Sequence, residues 1–118
     1  GRYGESSNFG NTVRGIRLET RSEAQVVTPF DGKVVFAGPF RTYGQVLIIE
    51  HRGGYHTILA GLGLVDVVVG QWLLAGEPVG LMATPKVDKP ILYVELRRDG
   101  QPINPLPWIT DKNRRVRG

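Results

Sequence analysis

The chain has 118 residues, no cysteine and a formal net charge of +4. Its length suits one domain with a real core but not two, and no apolar run reaches the roughly 18 residues that a membrane-spanning helix needs. Eleven arginines against four lysines suit acidic protein partners or anionic polymers, while the lack of cysteine removes a disulfide framework without deciding the redox compartment.

Residues 1–11 are polar and glycine-rich and read as a flexible entry. The Gly1-Arg2-Tyr3-Gly4 start looks like a fragment boundary, so any export leader is expected outside these residues. Sixteen glycines and eight prolines then punctuate short β-branched runs, the pattern of an all-β domain of short, mainly antiparallel strands. Strands are expected over 15–19, 25–28, 32–37, 45–51, 55–60, 65–69, 77–82 and 91–98. No stretch keeps a 3.6-residue apolar period, so at most one helical turn is expected, near 61–64. Trp72 and Trp108 read as core or sheet-edge packing. The Asn104-Pro105-Leu106-Pro107 segment reads as a rigid reversal, and residues 109–118 as a disordered basic tail.

Gly53-Gly54 between apolar runs predicts a two-residue type I′ hairpin. That register pairs His51 with His56, Glu50 with Thr57, Ile48 with Leu59 and Val46 with Gly61. One face then carries Val46, Ile48, Glu50, Thr57, Leu59 and Gly61. In the strand over 91–98, Tyr93, Glu95 and Arg97 share a face opposite Leu92, Val94 and Leu96. A catalytic zinc needs about three protein ligands. The chain offers two histidines and no cysteine, so a His51–His56 site lacks a third donor. Glu95, with no metal or nucleophile beside it, has nothing to activate as a general base and reads as a charge partner for Arg17 or Arg97.

Four segments in this order resemble the lysostaphin-like (LytM-type) zinc endopeptidases. They are Val26-Val27-Thr28-Pro29-Phe30-Asp31-Gly32-Lys33-Val34-Val35-Phe36-Ala37-Gly38, Tyr43-Gly44-Gln45-Val46-Leu47-Ile48-Ile49-Glu50-His51, the Val67 to Gly80 unit, and Ile91-Leu92-Tyr93-Val94-Glu95 running on to Asn104-Pro105. The resemblance covers roughly residues 12–108 and implies a LytM-type β-sheet with an open groove. The family's His-x-Gly-Ile-Asp segment falls on Val13-Arg14-Gly15-Ile16-Arg17, its catalytic histidine on Gly61, and its closing His-x-His on Ile91 and Tyr93. None of Val13, Arg17, Gly61, Ile91 and Tyr93 supplies a ligand or base, and Arg17 puts a fixed cation where the metal would sit. The resemblance therefore implies no metal, no cofactor and no catalysis.

Among degenerate members, the ending from Leu92 to Trp108 is most similar to murein hydrolase activators of the EnvC type. These imply a periplasmic protein of cell separation whose vacated groove binds the regulatory helix of a zinc N-acetylmuramoyl-L-alanine amidase. They also imply an upstream coiled coil tied to a division-linked, transporter-like complex. The groove residues carried over are Arg14, Arg17, Tyr43, Val46, Leu59, Tyr93 and Arg97; Arg17 departs from an expected apolar residue and Leu59 from an aromatic. The main alternative is a non-catalytic peptidoglycan-binding module. A metallopeptidase with unusual ligands and a lipoyl- or biotin-carrier domain, suggested by the Val67 to Gly80 unit, are others. Net charge alone, without aromatic–basic interleaving, does not support nucleic-acid binding.

Overall fold

The computed structural model describes residues 15–104. Val13, Arg14, Trp108, the 105–107 part of the reversal and both terminal segments lie outside the described residues. The β-branched runs form β1 (Ile16–Glu19), β2 (Gln25–Val27), β3 (Gly32–Pro39), β4 (Gln45–Glu50), β5 (Tyr55–Val65), β6 (Trp72–Leu73), β7 (Pro78–Met82), β8 (Ile91–Arg98) and β9 (Gln101–Ile103). These make one open all-β sheet in the order β1-β8-β5-β4-β3-β6, with β7 bridging β5 and β2, and β9 extending β8. All of its pairings are antiparallel. Antiparallel sheets can bury one face and leave the other open. Here Val34, Leu47, Ile49, Leu59, Leu62, Leu92 and Val94 belong to the buried cluster, which Val79 and Met82 of β7 close.

β8 follows its expected alternation, with Leu92, Val94 and Leu96 buried on the core side. The hairpin between β4 and β5 does not follow its expected register. Gly53 and Gly54 both take positive φ, as the Gly-Gly reading required, but Arg52 joins them in a 3-10 turn over Arg52–Gly54. The His51 N–H therefore bonds to Tyr55 O at 2.8 Å. Asp99 N–H bonds to Gly54 O at 2.9 Å, which docks the loop on the β8–β9 turn. One extra loop residue shifts the pairing by one: Glu50 meets His56, Ile48 meets Ile58 and Val46 meets Ala60. Because side chains alternate, that shift reverses every residue of β5 relative to β4. Thr57 and Leu59 go to the core, and His56, Ile58 and Ala60 go to the open face.

The helical turn expected near 61–64 is absent. β5 stays extended through this stretch, and its register against β4 shifts beside Gly61, where Gln45 faces Leu62 and Val46 faces Ala60. The strand expected over 65–69 is absent too. β5 runs on to Val65, after which Asp66 N–H bonds to Val79 O and Gln71 Oε1 accepts from Val68 N. Val68 and Val69 sit exposed on that turn, and only Val67 enters the core. The short strands β6 and β9 carry too few residues to show a period. Trp72 lies on the edge strand with its side chain in solvent, Lys33 Nζ 5.5 Å from its ring centroid, so it is not core packing.

His51 locks β4 to the β2–β3 connection. Its Nδ1 lies 2.7 Å from Asp31 O and its Nε2 2.7 Å from Thr57 Oγ1. A carbonyl only accepts, so Nδ1 carries the proton and the Thr57 hydroxyl donates to Nε2. Burial holds this imidazole below its ordinary pKa of 6.5, and the neighbouring His56 adds to the effect. A proton thus binds the unfolded chain more readily than the folded one. The stability this contributes is complete above pH 6.5 and declines as pH falls through the lower folded pKa. His51→Ala, which orphans the buried Thr57 hydroxyl, is expected to cost about 2–3 kcal/mol at pH 8 and to flatten that acid-side slope in denaturant unfolding. An unchanged slope would remove His51 as its source.

Candidate functional site

The open face of the sheet is built from cross-strand rows. Arg17 of β1 pairs with Tyr93 of β8, Tyr93 with Ala60 of β5, Ala60 with Val46 of β4, and Val46 with Gly38 of β3. The next row runs Glu95, Ile58, Ile48 and Phe36, and the one after it Arg97, His56, Glu50 and Lys33. Two depressions that share Tyr43, Ala60 and Tyr93 cover these rows, one reaching Arg17, Gly61 and Ile91 and the other Ile48, Ile58, Glu95 and Arg97. They form one trough with Val46, Ile48, Ile58 and Ala60 as an apolar floor. Phe36, Phe40 and Tyr43 line the wall over β3 and the loop after it. Phe40 stacks on Tyr43 with centroids 6.1 Å apart and meets Phe36 edge-on at 6.2 Å, a geometry that stiffens aromatic clusters.

On the opposite wall a buried carboxylate organises its neighbours. Glu95 is 4% exposed. Its Oε1 accepts from the Tyr93 hydroxyl at 2.6 Å, and its Oε2 accepts from Arg97 Nε. A buried charge persists only when paired and hydrogen-bonded, and both oxygens of Glu95 are engaged. Of the two expected partners, Arg97 is the one that pairs with it; Arg17 forms no ion pair among the described residues. Tyr93 also lies close over Gly15, where a Cβ would come within 2.9 Å of the Tyr93 hydroxyl.

The structure therefore brings together Arg17, Tyr43, Val46, Tyr93 and Arg97 of the expected groove. Leu59 is a correction: at 3% exposure it belongs to the core, because the three-residue loop turned β5 over. Ile58 and Ala60 stand where it was expected, Ile48 keeps the face beside Val46 that the hairpin reading gave it, and Phe36 and Phe40 complete a lining that sequence reading did not single out. Ile58 and Ala60 alternate with Leu59, so the only signal for them was the register itself.

The positions that the resemblance assigns to zinc and catalysis also converge. Arg17, Gly61, Ile91 and Tyr93 line one end of the trough. Their chemistry does not fit zinc: a guanidinium, a glycine, an isoleucine and a phenol that donates to Glu95. His51 has both ring nitrogens engaged beneath the sheet, and His56 lies 3.7 Å from Glu50 in the third row. No group of three His, Cys, Asp or Glu able to hold a metal occurs among the described residues. Gly61 further resists a histidine at this position, having φ +95 and leaving a Cβ only 2.4 Å from Ile91 O. Gly61→His is expected to cost about 2 kcal/mol or more in unfolding experiments and to gain no stoichiometric zinc by elemental analysis. A stable variant that loads zinc would refute this backbone argument.

Residues 11–105 match the family model of Peptidase family M23. The chain is 32% identical to Murein hydrolase activator EnvC of Escherichia coli (strain K12) over 92% of its length and 26% of that protein's. It is 30% identical to Murein hydrolase activator NlpD of Salmonella dublin over 89% of its length and 29% of that protein's. It thus spans less than a third of either relative. The solution structure of lysostaphin superposes with a TM-score of 0.76 at 20% identity, covering 95% of this chain and 48% of that one, a likeness of fold. Extending over most of the chain, the family match and the sheet with its open trough agree: this chain belongs to peptidase family M23.

Proposed function

We propose that this chain is a non-catalytic activator of peptidoglycan amidases, acting in the periplasm during cell separation. It docks the regulatory helix of an N-acetylmuramoyl-L-alanine amidase in the trough and draws that helix away from the amidase's own active site. The observation that carries this reading is the coincidence of two features in one place. The described residues at the family's ligand and base positions, Arg17, Gly61, Ile91 and Tyr93, cluster together without a usable donor set, and the space beside them is apolar, continuous and walled by aromatics. Relatives 32% and 30% identical are named murein hydrolase activators, which supports the same reading. An upstream coiled coil tied to a transporter-like division complex belongs to the same proposal.

The trough's width favours a helix over an extended peptide. From β8 to β3 it crosses three strand spacings, roughly 14 Å. A helix with its side chains is about 10–12 Å across, so it can touch both walls at once, whereas a single extended chain would leave one of them empty. Tyr93 offers a large apolar area with few torsions to freeze, and Arg97 offers a fork for a partner carboxylate.

The test is dye release from labelled peptidoglycan by the chain alone, by a candidate amidase alone and by their mixture. Release is expected only from the amidase, and more of it from the mixture. Tyr93→Ala or Arg97→Ala is expected to weaken activation through a loss of affinity of roughly thirtyfold, the usual effect of removing an interface anchor. Hydrolysis by the chain alone would overturn the proposal. So would binding to purified sacculi with no effect on any amidase, which would favour a wall-binding module.

A further inference from the structure

The cations of the trough stand at its two ends. Arg17 lies in the first cross-strand row and Arg97 in the third, on the same face, with the apolar row of Ile58 and Ile48 between them. Four residues of β8 separate their rows, which is roughly 13 Å along the strands. Glu95 lies between them but offers nothing to an incoming cation, because it is buried and both of its oxygens already accept. That pairing takes Arg97 Nε and leaves the two terminal Nη groups without a partner among the described residues. Of the other carboxylates on this face, Glu50 lies two strands from Arg97 beside His56, and the exposed Glu19 lies two residues from Arg17 on the edge strand β1, level with Ile91. Along the strands the trough therefore runs from one cation, Arg17 of β1, past the apolar row of Ile58 and Ile48 to a second, Arg97 of β8.

A helix rises about 1.5 Å per residue, so positions seven or eight apart on one face lie roughly 10.5–12 Å from one another. Arginine side chains readily bridge the remainder. Resting on the docking reading above, we infer that the trough recognises an amphipathic helix whose apolar stripe is bracketed by two carboxylates about two turns apart, one facing Arg17 and one facing Arg97. The apolar stripe supplies contact area, and the paired charges fix direction and register. A helix with lysines at those positions would face two fixed cations and be rejected.

The experiment uses fluorescein-labelled amphipathic helical peptides and anisotropy titrations at low and high salt. The reference peptide carries two glutamates about two turns apart beside a leucine–alanine stripe. Comparison peptides replace one or both glutamates by glutamine, replace both by lysine, or place the two glutamates a single turn apart. Each glutamate lost is expected to weaken binding about tenfold at low salt, less at high salt, with the lysine peptide weakest. Arg97→Lys should reduce discrimination at one glutamate and Arg17→Gln at the other. Because Arg17 is exposed, its variant keeps the test valid even if the Arg97 variant folds poorly. Equal affinity for the glutamate and glutamine peptides, indifference to their spacing, or no binding of any peptide would overturn the inference. Running the dye-release assay alongside separates the two ideas. Amidase stimulation without peptide discrimination removes only the charge pattern, and discrimination without stimulation removes only the amidase reading.

Discussion

The registration of β5 against β4 is the constraint on which the rest of the structure depends. In an antiparallel sheet with one buried face, a one-residue slip exchanges every inward and outward side chain. Three features hold the register here. Arg52 joins the two glycines in the loop, Gly54 docks on the Asp99 turn, and His51 ties β4 to Asp31 O while its other nitrogen meets Thr57 of β5. That last contact crosses the hairpin next to its closing pair, where slippage would begin. Moved by one, the sheet would place Ile58 and Ala60 in the core and Leu59 and Thr57 on the trough floor.

From that register the chemistry of the trough follows row by row. Ala60 comes level with Tyr93 and Val46, leaving room for the aromatic wall to face the floor. Glu95 comes level with Ile58, an apolar neighbour that would leave a bare carboxylate intolerable. Tyr93 and Arg97, two residues away on either side along the same face, reach it with a hydroxyl and a guanidinium. Neither bond needs a side chain from another strand. β8 therefore carries its own polar arrangement and holds it fixed along the trough wall.

Much of this was legible in the residues, and the failures have physical causes. The face pattern of β8 could be read because six consecutive residues, Leu92 to Arg97, alternate without a glycine, so the period of two stands alone. The convergence of Arg17, Gly61, Ile91 and Tyr93 could be read because the segment order resembled a known family. Leu59 was misplaced because a Gly-Gly pair fits a two-residue or a three-residue loop equally well, and tertiary docking at Asp99 decides between them. Val68 and Val69 read as a strand from β-propensity, yet they sit on a turn closed by Gln71. Strand preference reflects fit to a half-buried pleat more than any intrinsic demand of the backbone, and the pleat here was already taken by the long β5.

The family fold is kept while one end of the trough carries residues that do not suit a metal. An imidazole at position 61 would need a Cβ where Ile91 O stands, and the positive φ of Gly61 suits the irregular pairing beside it. A metal beside Arg17 would meet a cation that cannot lose its proton. Each departure removes a group that metal chemistry at this place would need. The small residue at 61 keeps the trough end open, and the guanidinium at 17 gives that end a charge. A site that stabilises a transition state must hold its groups against a few reacting atoms, whereas a docking trough spreads its contacts along a segment. The rows of Arg17 and Arg97 stand apart on the scale of helical turns rather than of a single bond.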